Sequence, residues 1–152
     1  MDQVTVSRSI GMGRRALADL FWDIGAWQRI WNPIEEVVVT YDDGEHQEFV
    51  MRVMRDEAEE VVRTVRFRDG TSSISFFSPV PPPMMTRHSG AWVFADAGHR
   101  CRVNALRTYE ITHRVGEGPS EYDLRCRSFH EAFAARLQAI LDRFASHCAA
   151  RA

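Results

Sequence analysis

Residues 20–33 read LFWDIGAWQRIWNP and contain three of the four tryptophans of the chain, Trp22, Trp27 and Trp31. Their apolar spacing predicts a short helical segment, which a glycine interrupts and Pro33 ends. Large aromatic rings offer flat apolar surface and lose little entropy when they are fixed. If such a tryptophan cluster faces a sheet, it either fills a core or forms the wall of a pocket.

The pattern on both sides of this segment predicts one strand, two short helices and six further strands. Residues 3–10 alternate between apolar and polar positions, as in a strand with one wet face. Helical spacing runs from residue 14 to 24 and resumes at Trp27, after the glycine. The later strands are predicted at 36–41, 46–54, 60–68, 72–78, 84–95 and 100–113, with a turn at 55–57 after the second of them. Tight Asp/Gly turns between successive strands are typical of an antiparallel meander.

A long helix is predicted to close the chain, over residues 120–147. Ser120 is the expected N-cap, with a carboxylate in the first turn. At ~1.5 Å per residue the helix would be roughly 42 Å long, whereas a compact chain of this size has a radius of gyration of only ~15 Å. The helix must therefore cross the whole molecule and bury its apolar stripe against the concave face of the sheet. The gap between helix and sheet is then either filled or hollow.

Composition narrows the classes of function. The 152 residues suit a single domain over residues 1–152, and 19 Lys+Arg against 21 Asp+Glu give a formal charge of -2. No global field therefore favours nucleic acid or an anionic membrane. Three cysteines without CxxC spacing argue against a disulfide framework or a zinc site. Without a signal peptide or an apolar run of membrane-spanning length, we expect a cytoplasmic protein with no membrane span.

The order of elements resembles the helix-grip fold of the START/Bet v1-like (SRPBCC) superfamily, and the N-terminal third resembles the bacterial polyketide aromatase/cyclases. In those proteins a Trp-Asp segment leads into a D-x-x-x-W-P-x-x-F/W segment. Residues 22–31 correspond to it here, with Gln28 where the family usually has proline. The resemblance implies an α+β fold, in which a curved antiparallel sheet of about seven strands wraps around a long C-terminal helix and two short helices lie near the N-terminus.

The resemblance also implies a function. The cyclases bind a poly-β-keto chain between sheet and helix and promote an intramolecular aldol condensation, often followed by dehydration. Trp27, Trp31 and Trp92 correspond to their pocket aromatics. A cavity arginine on the fourth strand falls on Phe67 here, and a pocket tyrosine falls on Ile34. The implied partners are a polyketide or another apolar small molecule, with an acyl carrier protein and a ketosynthase supplying the chain.

Four polar side chains are predicted to point inward from apolar strand faces. Arg63 shares a face with two valines and Phe67, so its guanidinium either binds a carbonyl or enolate oxygen or snorkels to water at an edge. Arg107 and Tyr109 are either an oxyanion donor and a proton donor or a hydrogen-bonded structural pair. His88 is either an acid/base or a histidine satisfied within the core.

Apolar candidates for the pocket wall come from several strands and from the closing helix. Core packing is the alternative for each of them. The predicted substrate-binding residues are Trp27, Trp31, Phe49, Met51, Phe67, Phe76, Met84, Trp92, Phe129 and Phe133. The Pro81-Pro82-Pro83 turn before Met84 is expected to border the cavity mouth. None of the histidines has metal-ligand spacing, so we predict neither a metal nor another cofactor.

Three functions therefore compete at this point. The first is a cofactor-independent cyclase/aromatase or a related dehydratase. The second is a non-catalytic carrier or sensor of a lipid, quinone or terpenoid. The third is an interaction module whose own tryptophans fill the cavity. Several polar groups that converge in the cavity would favour catalysis, and a single one would favour carriage. The chain is expected to be a monomer or a homodimer.

Overall fold

The computed structural model describes residues 1–55 and 57–151. Its elements are β1 (Asp2–Ile10), α1 (Arg14–Trp22), α2 (Ile24–Ile30), β2 (Ile34–Asp42), β3 (His46–Arg55), β4 (Ala58–Asp69), β5 (Ser73–Val80), β6 (Met85–Ala97), β7 (Arg100–Ile111) and α3 (Pro119–Ala150). Asp56, which belongs to the turn predicted at 55–57, and Ala152 lie outside the described residues.

One antiparallel sheet contains all seven of these strands, in the order β1-β7-β6-β5-β4-β3-β2. From β2 to β7 each strand pairs with the next one in the chain, and β1 pairs with β7 from Asp2↔Tyr109 to Ile10↔Cys101. The two short helices lie between β1 and β2, and α3 packs on β1, β7 and α2. The predicted helix-grip α+β fold is confirmed.

The break between α1 and α2 lies at Asp23, two residues before the glycine that the sequence suggested. Asp23 donates its backbone N–H to the carbonyl of Asp19 and so ends α1. Its carboxylate then accepts from the backbone N–H of Ala26 at 3.3 Å and caps α2. The aspartate of the Trp-Asp pair therefore turns the chain and lets Trp22 and Trp27 lie on two differently directed helices.

The closing helix α3 is longer than predicted, with 32 residues. It begins at Pro119, after Gly118 as N-cap, so the prediction of Ser120 as N-cap is wrong. Proline suits the first helical position because its missing N–H would have no intrahelical partner there. The buried side chains of α3 are Phe133, Leu137, Leu141, Phe144 and Cys148. Within residues 1–55 and 57–151, no helix is long and apolar enough to cross a membrane.

An aromatic cluster forms the centre of the core where α1, α2 and α3 meet the sheet. Phe21 stacks on Phe144 of α3, with ring centroids 4.1 Å apart. Trp27, Trp92 and Phe94 surround Phe21, with centroid distances of 5.7, 5.1 and 5.3 Å. Edge-to-face contacts of this kind add about 0.5–1.5 kcal/mol per pair to the burial of the rings. The tryptophan-rich segment is thus fastened to the sheet and to the closing helix together.

Candidate functional site

A cavity of about 160 Å³ lies between the concave face of the sheet and the helices α2 and α3. Strands β2 to β7 contribute its floor, and α3 contributes one face with helical spacing. The lining residues are Ile24, Trp27, Trp31, Ile34, Phe49, Met51, Val53, Arg55, Val62, Thr64, Arg66, Phe76, Ser78, Pro82, Met85, His88, Trp92, Arg107, Phe133, Arg136, Leu137 and Ile140. Most of this wall is apolar or aromatic, as in small-molecule pockets generally.

The tryptophans act both as core and as wall. Trp27 is almost fully buried and packs on Trp92 and Phe144, with ring centroids 5.4 and 4.8 Å away. Its indole N–H donates to the carbonyl of Phe21 at 2.9 Å, so the ring has a fixed orientation. The same ring also faces the cavity, which Trp31 borders too. The core fixes one side of the Trp27 ring and leaves the other side to the cavity.

The structure brings nine of the fourteen residues predicted for the site to this cavity. They are Trp27, Trp31, Phe49, Met51, Phe76, His88, Trp92, Arg107 and Phe133. The loop predicted at the cavity mouth contributes Pro82 to the lining.

The prediction that Arg63 and Phe67 point inward from β4 is wrong. Phe67 is 49 % exposed, and the Arg63 side chain is 47 % exposed, where it pairs with Glu48 on the outer face. The outward set of β4 is the more apolar one, which misled the assignment. The inward set contains Thr64 and Arg66, which are 7 % and 3 % exposed. The pairing of Phe49 with Thr64 across β3 and β4 would have revealed this, because directly paired residues share a face.

Met84 was also misplaced, since it is exposed whereas Met85 lines the cavity. The pairing of β6 with β7 shifts between Met85 and Arg87. Such a bulge inserts one residue and reverses the alternation on one side of it. The alternation therefore holds from His88 towards the C-terminal end of β6, but on the N-terminal side of the bulge it places Met85 inward instead of Met84.

Tyr109 on β7, which α3 covers, and Phe129 on α3 itself lie outside the cavity lining. Tyr109 is fully buried, and its hydroxyl is 2.9 Å from Nδ1 of His130 on α3. Its ring packs on Phe129 and Phe133, with centroids 5.5 and 5.2 Å away. Burial raises the pKa of Tyr109 to about 12. Tyr109 therefore has a structural position beneath α3 and is not placed as a proton donor in the cavity.

Arg66 is the buried cation that sequence reasoning missed. Its guanidinium donates to the carbonyl oxygens of Phe21 at 2.8 Å and Trp22 at 2.6 Å, and to Oε1 of Gln47 at 2.8 and 2.6 Å. Those carbonyls end α1, where the helix dipole favours a cation. Burial nevertheless lowers the pKa of Arg66 to about 9. This arginine ties the start of the tryptophan segment to β4 as well as lining the cavity.

Arg107 lies on β7 with its guanidinium between two aromatic rings. Its Cζ atom is 4.6 Å from the Phe76 ring centroid and 4.3 Å from that of Trp92. Nη1 donates to the carbonyls of Leu106 and Ala91 at 2.8 and 3.4 Å. Burial lowers the pKa of Arg107 to about 9, so the guanidinium is still charged at neutral pH.

His88 lies near Arg107 on the same inner face, diagonally across the β6–β7 pair. Its Nδ1 is 3.5 Å from Oγ of Ser78, and its ring contacts Phe76 and Phe133. Nε2 is buried and has no hydrogen-bond partner among the residues that the structure describes. Burial first, and then the positive charges of Arg107 and Arg55, lower the pKa of His88 to about 3. His88 is therefore a neutral imidazole at neutral pH.

The charged residues of the lining are all cationic. Arg55, Arg66, Arg107 and Arg136 line the cavity, and among the described residues no aspartate or glutamate does. Arg55 is paired with Glu60 at 3.1 Å. Within the described ranges, no three His, Cys, Asp or Glu side chains gather closely enough to hold a metal ion. The cavity thus combines aromatic walls with positive charge.

Comparison with solved structures places this arrangement in a known fold. The Zhui aromatase/cyclase from Streptomyces sp. R1128 is 16% identical and superposes with a TM-score of 0.84 over 99% of this chain and 94% of its own. The di-domain aromatase/cyclase StfQ from the steffimycin biosynthetic pathway is 18% identical, with a TM-score of 0.84 over 98% of this chain and 51% of its own.

A START superfamily protein from Mycobacterium smegmatis is 14% identical, with a TM-score of 0.65 over 91% of this chain and 98% of its own. No protein-family model and no curated protein matches the sequence. At these identities the similarities show the fold: the chain has the helix-grip architecture of the START/Bet v1-like superfamily, and aromatase/cyclases are among its structural neighbours.

Proposed function

We propose that this chain is a polyketide cyclase/aromatase that closes a ring by intramolecular aldol condensation and then removes water. The observation that carries the proposal is the convergence of several polar side chains, Ser78, His88 and Arg107, on one aromatic-walled cavity. A carrier needs one polar group to orient its ligand, whereas proton transfer and oxyanion stabilisation need more than one. The shared fold with aromatase/cyclases supports the same reading.

The chemistry begins at a methylene group between two carbonyls. Such a methylene is acidic, and neutral His88 can accept its proton at Nε2 as the enolate forms, because the negative charge of the enolate beside it stabilises an imidazolium that burial and Arg107 otherwise disfavour. The enolate oxygen then carries the negative charge, which the fixed guanidinium of Arg107 stabilises in a site from which water is largely excluded. Arg107 is held in place by its backbone acceptors and two aromatic rings, so it need not reorganise during the reaction.

Ring closure follows when the enolate carbon attacks a second carbonyl of the same chain. One carbon–carbon bond forms, and the alkoxide left on the attacked carbonyl takes the proton that His88 received, which restores the neutral imidazole. Loss of that hydroxyl with a neighbouring proton releases one water and leaves a double bond towards the aromatic ring. The aromatic walls contribute by holding the two reacting carbons together, which removes most of the entropy cost of the encounter.

Arg66 takes a supporting part in this proposal. The family's fourth-strand arginine corresponded to Phe67 in the sequence comparison, but Phe67 faces outward and the adjacent Arg66 faces the cavity. Its hydrogen bonds to Phe21, Trp22 and Gln47 already occupy most of its donors. We therefore assign Arg66 to fixing the tryptophan wall, formed by Trp27 and Trp31, and Arg107 to stabilising the enolate oxygen.

The test is a reconstitution with a ketosynthase and an acyl carrier protein that deliver a poly-β-keto chain. Adding the wild-type protein should raise the share of one defined cyclic product in the chromatogram. Arg107→Met should return the mixture to that of the reaction without the protein. Arg63→Met is the matched control, because Arg63 lies on the outer face of the sheet, and it should behave as wild type. An unchanged product profile with Arg107→Met would count against the proposal.

A carrier or sensor of an apolar small molecule is the second candidate, and the size of the cavity favours it. About 160 Å³ is close to the volume that holds one benzene ring in an engineered apolar cavity, ~150 Å³. A long poly-β-keto chain could place only its reacting ring inside. Native mass spectrometry of the freshly purified protein separates the two functions: a carrier retains a small molecule and releases it unchanged, whereas a cyclase converts what it binds.

A further inference from the structure

The cavity contains one buried guanidinium, that of Arg107, whose charge no neighbouring carboxylate balances among the described residues. Arg55 is engaged with the carboxylate of Glu60, and Arg66 with backbone carbonyls and Gln47. Arg107 differs from Arg55 in having no carboxylate partner, and from Arg66 in binding its two carbonyl acceptors through Nη1 alone. Among residues 1–55 and 57–151, no carboxylate forms an ion pair with Arg107, and no acceptor is bound to its Nε or Nη2.

Burial makes this arrangement expensive for the protein. Arg107 is only 5 % exposed, and a charge removed from water is costly unless an opposite charge or a full set of hydrogen bonds compensates it. Phe76 and Trp92 compensate part of the charge through their ring faces. They cannot accept the in-plane hydrogen bonds of a guanidinium, which match the two oxygens of a carboxylate or one anionic ring oxygen.

The neighbouring polar group does not oppose an anion in this place. His88 lies on the same inner face as Arg107, and its buried Nε2 has no hydrogen-bond partner within residues 1–55 and 57–151. Because its pKa is lowered to about 3, His88 is neutral at neutral pH and neither attracts nor repels an anion by charge, and it can donate or accept a hydrogen bond according to its tautomer. Ser78 supplies one more hydroxyl beside it, at 3.5 Å from Nδ1.

Size and wall chemistry define the remainder of the ligand. A volume of about 160 Å³ admits one six-membered ring with a small substituent, by comparison with the ~150 Å³ that admits benzene. Trp27, Trp92 and Phe133 present flat rings to that space. We propose that the cavity binds a one-ring aromatic anion, a carboxylate or a phenolate, with its charged oxygen on Nε and Nη2 of Arg107.

This inference rests on the proposed function in one respect, namely that the cavity is the ligand site; it adds the charge class of the ligand. In a cyclase, the bound anion corresponds to the enolate or to the phenolate of the finished ring. In a carrier, it corresponds to the cargo itself. The charge preference can be measured without any turnover, so its failure is distinguishable from failure of the cyclase proposal.

The experiment is isothermal titration calorimetry of the full chain with matched pairs of probes. Benzoate and benzamide share shape and differ in charge, as do 4-nitrophenolate and 4-nitroaniline at pH 8. We expect the anion of each pair that binds to do so roughly 10- to 100-fold more tightly than its neutral partner, the usual worth of a charge-assisted hydrogen bond. A preference within the first pair alone identifies a carboxylate ligand, and within the second alone a phenolate ligand.

Variants locate the charge preference. In Arg107→Met the ratio between anion and neutral probe should fall to about one, and in Arg107→Lys part of it should remain. Arg63→Met keeps the wild-type ratio. Equal affinities of anion and neutral probe for the wild-type protein would overturn the inference and leave an apolar cavity open to the cyclase proposal. Absence of binding by all four probes would also overturn it, and the reconstituted ketosynthase reaction would then decide the proposed function independently.

Discussion

Replacing His88 by glutamine should make the free energy of unfolding less dependent on pH below neutral pH. The pKa of His88 falls from 6.5 to about 3 in the folded protein, mainly because the ring is buried. The folded state therefore binds the proton less well than the unfolded state does. Stability contributed at this position is complete above pH 6.5 and is lost as the pH falls towards 3. Glutamine cannot titrate, so the variant lacks this loss.

The size of the effect follows from the shift. The difference between 6.5 and about 3, at about 1.4 kcal/mol per pH unit, limits the contribution to about 5 kcal/mol. Between pH 7 and pH 4 about 3 kcal/mol of it should be expressed, because the lowest part of the titration lies below pH 4.

The assay is urea unfolding at pH 7, 6, 5 and 4, followed by tryptophan fluorescence. Between pH 7 and pH 4 the free energy of unfolding of the wild type should fall by about 3 kcal/mol more than that of His88→Gln. His99→Gln removes a histidine from the surface and leaves His88 in place, so it should follow the wild type. Other acidic groups titrate in all three proteins and cancel in the comparison. Equal losses in wild type and His88→Gln, to within 1 kcal/mol, would refute the reasoning.

Three further predictions concern stability at neutral pH. Arg66→Lys keeps the charge but cannot reach three acceptors at once, so it should lower the free energy of urea unfolding by about 2 kcal/mol. The control Arg63→Lys, on the surface, should lower it by less than about 0.5 kcal/mol. Similar costs for the two variants would contradict the role of Arg66 in joining α1 to β4. Gly90→Ala places a Cβ atom 2.0 Å from the carbonyl oxygen of Leu106 on the facing strand, so it should lower the free energy of unfolding by about 2 kcal/mol or more. Gly13→Ala has open space around the new Cβ atom and should leave the melting temperature within a few degrees of the wild type. Equal melting temperatures of the two variants would exclude the close approach at Gly90. Trp27→Ala should cost about 3–5 kcal/mol, as large-to-small changes in cores do, and a cost below 1 kcal/mol would mean that the ring is not part of the core.

The architecture was predictable because the signals for it are local. Alternation and turn residues indicate each strand separately, and helical spacing indicates α3, so the helix-grip order follows from the sequence. The inward face of β7 was also correct, with Arg107 among apolar neighbours. On that strand the buried set is clearly the more apolar one. Where the buried residues of a strand are also its more apolar ones, the alternation of the sequence alone identifies the inward face.

The charged part of the site was less predictable because it depends on contacts far apart in sequence. Arg66 is buried only because the carbonyls at the end of α1, about 45 residues earlier, accept its hydrogen bonds. The sequence of β4 itself contains no signal for those partners. The exposed Val61 and Phe67 make the outer face of β4 more apolar than its inner face, so the outer face resembles a core face. A bulge near Met85 is equally invisible to alternation. Register with the neighbouring strand was the signal that could have identified Arg66.

The pairing of β1 with β7 determines when the cavity can form during folding. Strands β2 to β7 join their sequence neighbours through short turns, so these contacts are local and fast to form. The Ile10↔Cys101 pair instead closes a loop of about 90 residues, whose entropy cost is roughly 4 kcal/mol on the logarithmic loop scale. The helices α1 and α2 lie within that loop. We therefore expect the tryptophan wall to dock late, so that the cavity and the burial of Arg66 are completed in the last step of folding.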